Sequence, residues 1–183
     1  MEKGNAQSLA LSGVGRSAGS DENVSATGVY TATCYDAQGN VKWTDTYSNL
    51  VTTAGKNDLL DKYLAGSGYT AAWYLGLISL TSYTTGPAVG DTPASHTGWT
   101  EDQNYSNSTR VAPSFGAASA GSKASTATAF NINATTTIKG TFLTTLNTKG
   151  GTTGILYSAG LFTGGDKAVA NGDTLNVTYT ASV

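Results

Sequence analysis

The residues of this chain that could perform chemistry are few and widely separated. His96 is the one histidine and Cys34 the one cysteine, so any catalytic triad would have to use His96, and no second histidine can complete a zinc site. His96 stands in a loop flanked by Gly and Pro, where we expect it to bond the backbone and pack near Trp99. Cys34 lies in a predicted strand without a cationic neighbour, which favours a small buried hydrophobe over a nucleophile.

Paired carboxylates are the other arrangement that could catalyse a reaction, since two of them can divide the roles of glycoside hydrolysis. Asp91 with Glu101 or Asp102 are the candidates, all in one long loop. Asp91 and Asp173 each stand in a Gly-Asp-Thr segment, which is typical of a turn whose Asp accepts hydrogen bonds from backbone amides. The Gly-rich segment 148–154 lacks the order of a phosphate-binding loop. We therefore predict no catalytic residue, no cofactor and no metal site, and expect that the chain is not an enzyme.

The charge of the chain restricts its partners. Charged residues make up 12% of 183 positions and the net charge is −2, whereas an average soluble domain has about 25% charged residues. The Lys and Arg residues are scattered, so we expect no nucleic-acid partner. No long apolar run indicates a membrane span, and the first residues lack the hydrophobic block of a secretion signal, so we expect the chain in the cytosol. Protein partners could cover such a surface without desolvating many ions, which favours assembly.

The elements that position these residues divide into a terminal segment and one domain. Residues 1–28 are rich in Gly, Ser and Ala, with Leu9, Leu11 and Val14 as anchors. We predict a flexible arm, which is either a mobile terminus or a segment that orders along a neighbouring subunit. Residues 29–183 form the predicted domain, because a chain of this length usually buries one core.

Alternating β-branched and aromatic residues predict seven or eight short strands. The main candidates are the segments 29–35, 41–47, 71–78, 128–146, 154–162 and 174–183. Asp36 to Asn40 supplies the turn residues of a hairpin between the first two. We therefore predict a mainly β fold, an antiparallel sandwich of the jelly-roll or Greek-key kind with one short helix.

The one predicted helix runs from about Thr53 to Ala65, with Thr52 or Thr53 as its N-cap. Apolar residues recur at helical spacing along it, namely Leu59, Leu60, Tyr63 and Leu64.

A long polar loop follows, from Leu80 to about Thr128. Loops of this length are usually functional or contain short strands, and Tyr105, Val111 and Phe115 could anchor such strands. The loop also carries aromatic rings that could face a partner or a sugar. The predicted interface residues are therefore Tyr83, Trp99 and Tyr105, together with Leu9, Leu11 and Val14 of the arm.

Several segments resemble a family of tailed-bacteriophage virion proteins. The longest are NLVTTAGKNDLLDKY at 49–63 and YTAAWYLGL at 69–77, followed by GDT at 90–92, ASHTGWTE at 94–101 and GDTLNVT at 172–178. The similarity covers roughly residues 28–183 and leaves the arm unmatched.

The resemblance implies a structural component of a phage particle, without catalytic residues to transfer. Within that class we expect a capsid cement or decoration protein, a homotrimer that binds the major capsid protein outside the shell. It would be located in the virion and assembled in the host cytoplasm. Its arm and loops would bridge neighbouring capsid subunits, so that several weak contacts act together.

Two other functions stay open at this point. The chain could be a tail- or fibre-associated protein that binds a host-surface glycan through the loops of Trp99 and Tyr105. It could also be a glycan hydrolase that uses Asp91 or Glu101.

Overall fold

The structure is a computed structural model and describes residues 25–64 and 72–183. In chain order the elements are β1 (Thr27–Tyr35), β2 (Val41–Ser48), β3 (Leu50–Val51), α1 (Thr53–Leu64), β4 (Tyr74–Ser79), β5 (Glu101–Asp102), β6 (Ser122–Ala124), β7 (Thr128–Asn131), β8 (Thr136–Thr144), β9 (Leu156–Leu161), β10 (Lys167–Val169) and β11 (Thr174–Ser182). They form two antiparallel sheets with one helix. The predicted mainly β sandwich is confirmed, while the jelly-roll assignment stays a prediction.

The first sheet is organised around β11. This strand pairs on one side with β1, which in turn pairs with β2, and on the other side with β7 and β6 in succession. The inward residues of β11 are Leu175, Val177 and Tyr179, as their alternation predicts. Asp36 closes the β1–β2 hairpin, because its carboxylate accepts hydrogen bonds from the amides of Gln38 and Asn40 at 2.9 and 2.8 Å.

The second sheet has the order β3-β9-β8-β4-β5, with β10 pairing beside β9 on β8. Both of its faces are buried. Leu75 and Leu77 of β4 belong to the core between the sheets, whereas Ile78 belongs to a second cluster on the outer face. A strand that is buried on both faces needs apolar residues at successive positions, which explains the continuous apolar run at 74–78.

The long loop covers the outer face of the second sheet and holds only short pairings. Besides β5 and β6, isolated bridges join Tyr105 to Ile132, Val111 to Leu75 and Phe115 to Ser125. Tyr105, Val111 and Phe115, which were predicted to anchor short strands, therefore form single bridges and lie in no strand.

The helix begins where it was expected. The Thr52 hydroxyl accepts a hydrogen bond from the Gly55 amide at 3.0 Å, so Thr52 is the N-cap. All twelve residues of α1 are described, and Gly55 is the one that is buried. It lies against the backbone of Tyr157, where a Cβ would overlap the chain.

The boundary predicted for the arm is slightly wrong. Thr27 and Gly28 pair with Ser182 and Ala181, so both residues belong to β1. Residues 1–24, with the predicted interface residues Leu9, Leu11 and Val14, lie outside the described residues. No helix in the described part of the chain is long and apolar enough to cross a membrane.

Candidate interaction site

Trp99 is buried, with 3% of its surface exposed. Its ring packs on Phe142 of the second sheet and beside His96, with centroid separations of 5.6 and 4.1 Å. The indole N–H donates a hydrogen bond to the Asp91 carboxylate at 2.8 Å. The prediction that Trp99 faces a partner is therefore wrong, because its ring covers the apolar outer face of the second sheet. The prediction for His96 is confirmed, since its Nδ1 lies 2.9 Å from the Trp99 carbonyl oxygen.

Tyr105 is buried as well, with 1% of its surface exposed. Its ring packs edge-on against Phe130 at 5.1 Å, and the Lys149 ammonium lies 3.7 Å from the ring centroid. Burial, reinforced by the charge of Glu101, raises the pKa of the Tyr105 hydroxyl. The prediction that Tyr105 faces a partner is wrong, because the bridge to Ile132 draws the residue into the core.

Tyr83 is the one predicted loop aromatic that is partly exposed. It packs against the outer-face cluster, and the Lys139 ammonium lies 4.3 Å from its ring centroid. Tyr83 therefore keeps a surface that a partner could contact.

The carboxylates of the long loop hold the loop together. Asp91 accepts a hydrogen bond from the Ala88 amide at 3.0 Å, and Asp102 accepts one from the Thr136 hydroxyl at 2.7 Å. In the turn before β11, the Asp173 carboxylate likewise accepts a hydrogen bond from the Ala170 amide at 2.7 Å. The predicted turn role of Asp91 and Asp173 is therefore confirmed.

Glu101, the remaining candidate acid, forms a buried ion pair with Arg110. This pair was not predicted, because Glu101 and Arg110 both stand in a polar stretch of sequence with no period that relates them. Among the described residues, no group of three or more His, Cys, Asp or Glu side chains is placed to hold a metal ion.

An apolar groove of about 720 Å³ lies between α1 and one end of the sandwich. Leu59 and Tyr63 form its helical side, and Trp73 and Tyr157 form its side on the second sheet. The first sheet contributes Tyr179 and Ala181, with Phe115 and Lys123 nearby. These residues define what we call the apolar groove.

The groove exists because the inner face of the first sheet changes from large to small residues at this end. Tyr30 pairs with Tyr179, but the next inward pair is Gly28 with Ala181. A Cβ on Gly28 would overlap the Tyr179 ring. Sequence patterns missed the groove, because the Gly28–Ala181 pair is defined only by the register of two strands at opposite ends of the chain.

The helix also exposes large apolar side chains to solvent beside the groove. Leu60 and Leu64 are four residues apart, so they lie on one side of α1. Their exposed fractions are 51% and 73%, and Tyr63 beside them is 85% exposed. We call Leu60, Tyr63 and Leu64 the helix patch.

No protein-family model matches this chain, and no curated protein matches its sequence. A functional conclusion therefore depends on the residues and their geometry, with the resemblance described above.

Proposed function

We propose that this chain is a structural protein of a tailed-phage particle, a cement or decoration protein on the outer surface of the capsid. It bridges neighbouring major capsid proteins and acts as a homotrimer. The observation that carries the proposal is the helix patch, since three large apolar side chains lie together on the surface of a body with few charges. Contiguous apolar patches of this kind are typical of protein interaction sites.

The position of the helix suits a docking element. Its first turn is fixed to the body, because the amides of Thr52 and Thr53 donate hydrogen bonds to the carbonyls of Tyr157 and Val89 at 2.9 and 2.8 Å. The Thr52 hydroxyl also bonds the Leu156 carbonyl. The last two turns carry the helix patch away from this anchor. A patch on a fixed helix binds with little loss of conformational entropy, which favours affinity.

The energetics favour several copies over one. Burial of a Leu side chain contributes about 1.5–3 kcal/mol, whereas association costs about 4–15 kcal/mol in lost translational and rotational freedom. One helix patch therefore gives weak binding. Three patches in a trimer, each on a different capsid subunit, raise the effective concentration of the second and third contacts. This is how a cement protein would hold adjacent shell subunits together.

The residues that an enzyme or a glycan-binding protein would use support this proposal indirectly. Asp91 and Glu101 are held by hydrogen bonds to the loop and to Arg110. Trp99 and Tyr105, on which the glycan-binding alternative depended, are buried. These four residues therefore favour a structural role in the loop.

The test is binding to capsids of the parent phage that lack this protein. We expect the double variant Leu60→Asp, Leu64→Asp to lose at least tenfold in affinity, because each apolar contact contributes over 1 kcal/mol. Val41→Asp is the matched control, since Val41 is also exposed but lies on the β1–β2 hairpin. Full occupancy by the double variant, or density on the tail in an electron-microscopy map of the intact particle, would reject the proposal.

A further inference from the structure

The apolar groove is large enough to bind a segment of polypeptide. Its volume of about 720 Å³ is comparable to that of pockets that enclose drug-sized ligands. Its walls include the rings of Trp73, Phe115 and Tyr157. An apolar occupant would remove the partly exposed rings of Trp73 and Phe115 from water, which contributes about 25 cal/mol per Å² of apolar surface buried.

The start of β1 lies at this groove. Gly28 pairs with Ala181, which lines the groove, and Thr27 pairs with Ser182. The residues that precede β1 therefore leave the sheet at the groove itself. Leu11 stands fourteen positions before Ser25, and an extended chain of that length can span up to about 45 Å. The segment is long enough to enter the groove from its own strand.

The preceding segment carries suitable side chains. Leu9 and Leu11 are two residues apart, so in an extended chain both point to the same side. Ala10 and Ser12 alternate with them and are small enough to lie along the rim.

Asn49 lies beside Gly28 and Tyr179 at this end of the first sheet. Its amide donates a hydrogen bond to the Gly28 carbonyl at 3.0 Å, and its side-chain Nδ2 donates one to the Tyr179 hydroxyl at 2.9 Å. Its side-chain oxygen is buried and has no hydrogen-bond partner among the described residues. A buried acceptor without a partner costs about 1–3 kcal/mol.

We propose that the N-terminal segment of the same chain occupies the apolar groove, with Leu9 and Leu11 inserted between α1 and the two sheets. Because the segment is tethered beside the groove, its effective concentration is in the millimolar range, which favours it over the same segment of another copy. Residues 65–71 are an alternative occupant, because they connect α1 to Ala72 and both sides line the groove. Tyr69 is the one large side chain among them, however. This arrangement gives the arm a place on its own body, in contrast to the expectation that it lies along a neighbour. The inference goes beyond the capsid proposal and does not depend on it.

Crosslinking in the purified full-length chain tests the proposal. Cys34 is buried, so two added cysteines are the reactive ones. We expect a short bismaleimide to link Ser12→Cys with Lys123→Cys, at the rim of the groove, about tenfold faster than Ser12→Cys with Gln38→Cys, at the opposite end of β1. Adding Leu9→Ser and Leu11→Ser should remove this preference. Equal rates for the two pairs would overturn the proposal, and so would links that form only between chains when the single-cysteine variants are mixed.

Binding of a hydrophobic fluorescent dye gives a second measurement. The variant Leu9→Ser, Leu11→Ser should bind severalfold more dye than the parent, because the walls of the groove become accessible. The control Ala10→Ser, Ser12→Ala changes the alternate positions and should leave dye binding unchanged. If Tyr69→Ala opens the groove and the Leu variant does not, residues 65–71 cover it and the proposal is wrong. Neither measurement involves a capsid, so its failure is distinguishable from failure of the proposed function.

Discussion

The Arg110 guanidinium donates hydrogen bonds to both oxygens of the Glu101 carboxylate, from Nε and Nη2, each at 2.9 Å. Both side chains are buried, with 4% and 6% of their surfaces exposed. The same guanidinium donates a hydrogen bond to the carbonyl of Leu146, and the Glu101 carboxylate accepts one from the amide of Gly150. One ion pair thus joins β5, the chain around Arg110 and the β8–β9 turn.

Removal of one partner of this pair should be costly. We expect Arg110→Met to reduce the free energy of unfolding by about 3–5 kcal/mol, because it leaves the Glu101 carboxylate buried without its counter-charge. Arg110→Met combined with Glu101→Leu should recover much of the loss. The control is Lys139→Met, which breaks the more exposed pair with Asp166 and should cost at most about 1 kcal/mol. Urea unfolding measures all of them, and equal losses for Arg110→Met and Lys139→Met would contradict the assignment.

Trp99 should contribute to stability. We expect Trp99→Ala to cost about 3–5 kcal/mol, since it exposes Phe142 and leaves the Asp91 carboxylate without its indole donor. Tyr63→Ala is the matched control, because Tyr63 is 85% exposed and its removal should change stability by about 0.5 kcal/mol or less. Thermal or urea unfolding distinguishes the two. A Trp99→Ala protein as stable as the parent would show that the ring does not support the loop.

Gly140 lets β8 and β9 approach closely. A Cβ at this position would overlap the carbonyl oxygen of Gly160 on β9. We expect Gly140→Ala to destabilise the fold by about 1–3 kcal/mol or more, because the backbone must shift. Gly90→Ala is the control, since nothing lies within 4 Å of the position its Cβ would take. Comparable unfolding midpoints for the two variants would contradict the packing described.

The parts of the fold that local sequence predicts are those governed by local chemistry. The alternation in β1 and β11 predicts both strands, because one face of each is buried against the second sheet. The N-cap Thr52 and the turn carboxylates of Asp36, Asp91 and Asp173 are likewise predicted, since each bonds amides within four residues.

The parts that sequence did not predict depend on distant segments. Trp99 and Tyr105 stand in polar loop sequence, but the Trp99 ring packs on the outer face of the second sheet and the Tyr105 ring packs on Phe130 in the core between the sheets. Asp45 is buried although it is charged, because the Lys167 ammonium lies 3.2 Å from its carboxylate and the Gly164 amide donates a hydrogen bond to it at 2.9 Å. Strands of two or three residues, such as β3 and β10, are too short to show a period.

Cys34 should be inert in the folded protein. Burial raises the pKa of the Cys34 thiol to about 12, and the charge of Asp173 adds to this effect. Since the thiolate is the reactive form, we expect the reaction with a disulfide reagent at pH 8 to be on the order of a thousandfold slower than for an ordinary exposed thiol. The control is Gln38→Cys in a Cys34→Ala background, with the thiol in an exposed turn. Rapid labelling of Cys34 without denaturant would contradict this prediction.

Asp173 should make the fold sensitive to acid. Burial acts to raise the pKa of its carboxyl, but the hydrogen bonds from the Lys42 ammonium at 2.5 Å and the Ala170 amide at 2.7 Å outweigh it, so the net pKa is lowered. A carboxyl whose folded pKa lies below its unfolded value of about 3.9 stabilises the fold above that value. This stability is lost as the pH falls through the folded pKa.

Lys42, the partner of Asp173, makes the stability of the fold depend on pH at the alkaline end. The hydrogen bond to Asp173 raises the pKa of Lys42, so the contribution of Lys42 to stability is present below its unfolded pKa of about 10.4 and is lost as the pH rises through the folded value.

We expect Asp173→Asn to be less stable than the parent at pH 7 and to lose less stability between pH 5 and pH 2. Urea midpoints across this range measure the difference, with Asp166→Asn as the control at a more exposed ion pair. Parallel curves for the parent and Asp173→Asn would show that another carboxylate governs the acid limit, because only a group whose protonation differs between the folded and unfolded states changes the slope.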